Sequence, residues 1–193
     1  MRVFISGFGP FEDHEVNPTS LLIDALKNGE ISYPDELLIE TVTLPVSFEQ
    51  SYEVLKKMSD SFNPDVMIAM GLGPDREAIE LELMAQNKIH AQIRDNLGEK
   101  PEHQVINPKG PLSYLSTLPL AGMEGVLKKN GVPVKISNNA GTFVCNYIFY
   151  RMMEDNQETE RLCGFIHFPP FKDGLTVDAQ KRALQLILDY IKY

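Results

Sequence analysis

The amino-acid sequence predicts an α/β fold. It reads as a single three-layer α/β/α domain over residues 1–193, with a mixed, mostly parallel twisted sheet carrying helices on both faces. Three observations predict this. Short β-type apolar runs alternate with segments whose apolar residues recur at helical spacing. The run DVMIAMGL at residues 65–72 is nearly all apolar, as suits a central strand buried on both faces. No internal repeat, low-complexity tract or linker divides the chain.

Taken in order, residues 2–6 form a short apolar strand that runs into Gly7-Phe8-Gly9-Pro10-Phe11. Glu12 stands where a dinucleotide fingerprint needs its third glycine, so this is an aromatic-lined loop that either walls a ligand pocket or plugs the core. Asn17-Pro18 precedes a helix over 19–28, with Leu21, Leu22, Ala25 and Leu26 on its apolar face. Residues 36–46 form a second strand, and Ser47 caps a helix through Phe62 with Tyr52, Leu55, Met58 and Phe62 inward. After the strand at 65–72, residues 79–85 (IELELMA) alternate with a period of two. Ile79, Leu81 and Leu83 take one face, and Glu80 and Glu82 the other. Two dry carboxylates on one face are unfavourable, so that face is either a solvated edge or holds a cation. Residues 87–93 continue as a second short strand or a hairpin arm, and 94–110, rich in Asp, Asn, Gly and Pro, make a surface excursion. A helix over 118–130 closes at Gly131, a strand over 133–137 follows, and the last strand is RLCGFIHF at 161–168. The final helix, 176–193, has Ala179, Ala183, Leu186, Ile187, Tyr190 and Ile191 on its apolar side.

Composition excludes several function classes. With 18 Lys and Arg against 27 Asp and Glu the net charge is -9, and basic residues come in no cluster larger than a pair, which argues against a nucleic-acid surface. No apolar run reaches membrane-spanning length, and the start MRVFISGFGPFE does not read as a signal peptide. Two cysteines make no disulfide framework, so a reducing cytoplasm is the expected compartment.

The chemistry concentrates in ISNNAGTFVCNYIFYR, residues 136–151. A strand meets a small polar turn, in which Gly141 permits the bend and Thr142 is placed to cap the helix that follows. Cys145 then falls in the first helical turn, where orphan N–H groups and the helix dipole favour a thiolate and can hold an oxyanion. The competing reading is a buried small hydrophobe. His167, at the end of the last strand, is either a structural histidine or the base that a thiol nucleophile needs. Glu82 is the carboxylate best placed to orient it. Cys163, inside a strand, reads as core, and no pair among these residues has zinc-type spacing.

These segments resemble the pyroglutamyl-peptidase I (pyrrolidone-carboxylate peptidase) family of cysteine peptidases along the whole chain. GFGPF with Asn17-Pro18, GLGPDREAIELELMAQN, VKISNNAGTFVCN and GFIHFP are similar to its N-terminal, glutamate, cysteine and histidine motifs. The resemblance implies Cys145 as nucleophile, His167 as base and Glu82 as the acid that orients it. It implies an exopeptidase acting on peptides with an N-terminal pyroglutamate, without metal or organic cofactor, often as a homotetramer. It also implies that Phe8 and Phe11 sandwich the lactam ring, bordered by Phe143 and Val144. A planar neutral lactam suits such an aromatic slot.

Departures from the family pattern concentrate in two places. Glu80 stands for the usual Ser or Thr, and Leu83 for a basic residue. The segment Ala91-Gln92-Ile93-Arg94-Asp95-Asn96 resembles the family's DARIPDN, with Gln92 for its arginine, Arg94 for its proline and His90 for its aspartate. The arginine lies near the oxyanion in the family. Gln92 retains a donor there, Ile93 keeps its place, and Arg94 could reach the same space. Two alternatives stay open on the sequence: a non-catalytic pyroglutamyl-binding relative, and a cysteine amidohydrolase with shifted acyl specificity.

Overall fold

The computed structural model describes residues 1–11 and 16–192. Its main sheet has six strands in the order β2-β1-β3-β8-β4-β7. These are β1 (Arg2–Phe8), β2 (Leu38–Leu44), β3 (Val66–Leu72), β4 (Ile79–Glu82), β7 (Val134–Ser137) and β8 (Leu162–Phe168). The first four in spatial order are mutually parallel; β4 runs antiparallel to β8 and β7 runs parallel to β4. The sheet is therefore mixed and mostly parallel, as the alternation predicts. A separate ribbon pairs β5 (Met84–Gln86) with β6 (Ser113–Leu115).

The period of two divides the core between the sheet's faces. On one face Val3, Ile5, Val66, Ile68, Met70, Leu81 and Ile166 pack under helices α1 (Pro18–Lys27), α3 (Leu120–Lys129) and α5 (Val177–Ile191). On the other, Phe4, Phe8, Met67, Ala69, Cys163 and Phe165 pack under α2 (Phe48–Phe62) and α4 (Val144–Asp155). Asn17, Ser47 and Thr176 cap α1, α2 and α5 through their side chains. Asn63 takes the left-handed C-cap of α2, where the sequence breaks at Asn-Pro.

Three expectations are corrected. The alternating segment 79–85 is not a solvated edge. β4 lies between β8 and β7, and Glu80 and Glu82 are both fully buried. Strict alternation misleads here because the polar face is neutralised by cations instead of water, the second branch of the expectation. Leu83 does not share a face with Ile79 and Leu81. The chain leaves the sheet after Glu82 to pair with β6, and Leu83 at that bend is exposed. Residues 87–93 make one bridge, Ile89 to Gln104, instead of a hairpin arm.

Candidate active site

The side chain of His167 is placed by the pleat of β8, which sends it to the same face as Cys163 and Phe165 and away from Ile166 and Phe168. The Phe165 ring packs 4.8 Å from the imidazole. Across the antiparallel seam, β4 brings Glu82 to the same face, and its Oε1 lies 2.7 Å from His167 Nδ1. A carboxylate only accepts, so Nδ1 donates, which fixes the tautomer and turns Nε2 toward the cleft.

Cys145 occupies the second position of α4, with Phe143 as the extended N-cap residue. Its thiol is half-buried and lines the same cleft as His167, whose proton it helps to hold. Thr142 is not the cap. Its hydroxyl instead donates to the His90 carbonyl at 2.7 Å, while the His90 N–H donates to the Thr142 carbonyl at 3.0 Å. Among the described residues no side chain caps the first-turn N–H groups of α4, which leaves them for an oxyanion beside the sulfur. Asn146 anchors this end of the helix, accepting from the Gln86 N–H and donating to the Gln86 and Lys88 carbonyls.

Burial alone would strip the proton from His167. The hydrogen bonds to Cys145 and Glu82, with the negative charge they carry, outweigh it and raise the imidazole to about 9. Cys163 is fully buried, and burial pushes its thiol up to about 12, which leaves it inert at neutral pH.

A cleft of about 570 Å³ opens onto these groups. Phe8, Phe11, Phe143, Val144, Gln92 and Ile93 all line it, together with Cys145 and His167; Glu82 sits behind the histidine. Phe11 and Phe143 stand 5.4 Å apart, tilted at 40°, and Phe48 meets Phe143 edge-on at 5.3 Å. Phe8 closes the floor and is itself almost fully buried. Arg94 does not reach this space. Its guanidinium donates to the Gly98 carbonyl at 2.6 Å, tying its own loop, and it is absent from the lining.

Two residues of the site were not singled out on sequence. Gly71 ends the buried part of β3, and a Cβ there would stand 2.8 Å from Cys145 Sγ and 2.9 Å from the Phe165 ring. Glycine is what lets the sulfur approach the strand, and a glycine closing an apolar run was the available signal. Arg76 is the cation that the paired carboxylates demanded. Its Nη1 lies 2.5 Å from Glu80 Oε2, and its Nη2 lies 3.7 Å from Glu82 Oε1 and donates to the Asn139 carbonyl at 2.7 Å.

Comparison with known proteins agrees along nearly the whole chain. A family model described as pyroglutamyl peptidase matches residues 1–191. The pyrrolidone-carboxylate peptidase of Pyrococcus furiosus is 37% identical over 174 residues, which cover 88% of this chain and 81% of the relative. That of Bacillus subtilis is 35% identical over 192 residues, 98% of this chain and 86% of the relative. The crystal structure of Bacillus amyloliquefaciens pyroglutamyl peptidase I matches with a TM-score of 0.91 at 31% identity, covering 100% of this chain and 97% of that one.

Proposed function

The chain belongs to the pyroglutamyl peptidase family, a cysteine-type peptidase family, and from that premise we propose how its own residues release an N-terminal pyroglutamyl group from a peptide. The observation that carries the proposal is the line from Glu82 through His167 to Cys145, ending at the wall of an aromatic cleft. The lactam ring lies against Phe11 and Phe143 over the floor made by Phe8, with Val144 and Ile93 at its edges. A free α-amino terminus is rejected, because burying an unpaired ammonium there is costly.

The Cys145 thiolate attacks the acyl carbon, and the carbonyl oxygen takes the negative charge. The Cys145 N–H and the Gln92 amide donate to that oxygen. His167 transfers its Nε2 proton to the departing amine as the C–N bond breaks, leaving a thioester. Neutral His167 then takes a proton from water as the water attacks, and collapse expels Cys145 as thiolate with free pyroglutamate as product. Glu82 stabilises the imidazolium through both steps. A His167 raised to about 9 holds its proton at neutral pH, ready for the departing amine, and puts the alkaline loss of activity near that value.

Residues 1–193 act as one catalytic domain in this reading. Two free cysteines suit a reducing, cytoplasmic setting. Assembly as a homotetramer is supported by the apolar surface around the β5–β6 ribbon, where Leu83, Val105, Leu112 and Leu115 are exposed. Sedimentation of the purified protein tests that assembly.

The enzymatic test is hydrolysis of a pyroglutamyl-coumarin amide, beside Cys145→Ser and a prolyl-coumarin control. Fluorophore release by wild type alone, from the pyroglutamyl substrate alone, is the expected result. A folded wild type that releases none under reducing conditions overturns the assignment of these residues. Iodoacetamide is expected to label Cys145 and spare Cys163, read by mass spectrometry of the peptides. Gln92→Arg is expected to raise kcat, by at most the roughly 10²–10³-fold that one oxyanion donor contributes.

A further inference from the structure

Glu80 is a fully buried carboxylate that the mechanism above leaves idle. In the pairing of β4 with β8 it stands directly opposite His167, while Glu82 stands opposite Phe165. Directly opposed side chains on an antiparallel pair are nearest neighbours. By register alone, Glu80 has the first claim on the imidazole. The hydrogen bond goes instead to the diagonal residue, Glu82.

The ion pairs explain why. Arg76 Nη1 holds Glu80 Oε2 at 2.5 Å, and Lys135, its opposite number on β7, holds Oε1 at 2.9 Å. Both oxygens stand at ion-pair distance from a cation, by charge and not by hydrogen-bond geometry. The same pairing fixes Arg76, whose other nitrogen supports the Asn139 carbonyl in the loop leading to Cys145 and makes only the looser ion pair, 3.7 Å, with Glu82 Oε1. We propose that Glu80 is a positioning residue: clamped by Arg76 and Lys135, it leaves His167 to Glu82, keeps the Arg76 guanidinium on the cysteine loop and holds its contact with the catalytic carboxylate at the longer 3.7 Å. The inference rests on the roles assigned above to Cys145, His167 and Glu82.

The charged surroundings set the sign of the expected effect. Around His167 stand Cys145 from α4, Glu80 and Glu82 from β4, and Asp75, Arg76 and His90 along the cleft wall. Around Glu80 stand Arg76, Lys135 and His167. When Glu80 loses its charge, the nearest carboxylate left to Arg76 is Glu82. A guanidinium closing on Glu82 competes with His167 for the same oxygen and destabilises the imidazolium. The alkaline limb of kcat/KM therefore moves to lower pH.

The experiment compares pH profiles of wild type, Glu80→Gln, the double variant Glu80→Gln with Arg76→Gln, and Arg76→Lys, each checked for folding by circular dichroism. Glu80→Gln is expected to lower the alkaline limb by about one pH unit, the scale of one charge within a few ångströms. At the optimum its kcat falls about tenfold with KM within about twofold, because a group that touches no substrate perturbs orientation. The double variant has no guanidinium to compete, and its limb returns to the wild-type position. In Arg76→Lys the ammonium stays on Glu80, so kcat drops with loss of the Asn139 contact while the limb holds.

A folded Glu80→Gln whose limb coincides with wild type overturns the inference. So does a double variant that keeps the displaced limb. If Glu80→Gln does not fold, a displaced limb in Arg76→Lys overturns it and an undisplaced one with reduced kcat supports it. Cys145→Ala run alongside separates the two levels of the argument. Turnover by that variant would sink the assignment of the nucleophile, whereas an inert Cys145→Ala beside an unmoved Glu80→Gln limb sinks only the role of Glu80.

Discussion

Along β3 every side chain from Val66 to Met70 is apolar and buried, whereas along β4 every second side chain is an equally buried carboxylate. Burial is the same and its physics is not. β3 is held by apolar area removed from water on both faces, a non-directional force that any well-fitting hydrocarbon supplies. Glu80 and Glu82 are tolerable only because Arg76, Lys135 and His167 meet them at defined distances. The first strand fixes where the sheet is; in the proposed mechanism the second fixes where a proton goes. The site lies at the antiparallel seam, where β8, the last strand of the parallel group, meets β4.

The largest effect that would test this contrast comes from Glu82. Glu82→Gln keeps the shape and removes the charge, so the imidazole loses both its fixed tautomer and its stabilised cation. A fall in kcat of about 10³–10⁴-fold is expected, the scale seen when the orienting acid of a triad becomes an amide. Steady-state kinetics on the pyroglutamyl substrate measure it. A fall below about tenfold would mean that Glu82 is no more than a neutral hydrogen-bonding partner.

Gly71 sharpens the contrast from the other side, since it is where β3 contributes to chemistry by carrying no side chain. In Gly71→Ala the new methyl must displace Cys145 Sγ or the Phe165 ring, from 2.8 and 2.9 Å respectively. A displacement of the nucleophile by about 1 Å costs about 10²-fold in rate. The expected signature is a kcat lower by about that factor and slower alkylation of Cys145, with the far-UV spectrum of the wild type.

How much of this was legible differs between the two strands for a physical reason. Hydrophobic period reports which side of an element is dry, so the run 65–72 and the helix faces could be read directly. The Cys145 turn, the histidine strand and Glu82 could be found from residue types at element ends. Strand direction has no such signal in side-chain period. The clue lay in the connection: residues 73–78 are too short for a parallel crossover, which needs a dozen or more. They suffice to turn the chain around at one end of the sheet, past β8, into an antiparallel β4. Side-chain period leaves β4 either a wet edge or a cation-holding strand, and it does not say that the cation is Arg76. Thr142 looks like a cap in local sequence, but its hydroxyl serves a long-range contact with His90 that local sequence cannot contain.

The smallest effect is the one that makes the comparison a fair one. Ile68 lies in the middle of β3, on the face covered by α1, α3 and α5, and is removed by the full thickness of the sheet from the face that carries Cys145 and His167. Ile68→Val deletes one buried methylene and is expected to cost about 1 kcal/mol, read by urea unfolding, or about 2–4 °C in Tm for a chain of this size. Its kcat and the position of its alkaline limb should match wild type, because nothing that holds the sulfur, the imidazole or the carboxylate depends on that methylene. A limb displaced by this substitution would mean that packing on the far face reaches His167, and that the two strands cannot be divided into scaffold and chemistry. An unmoved limb, set beside a displaced one in Glu80→Gln, would locate the control of that proton in the charges of β4 and not in the general tightness of the core.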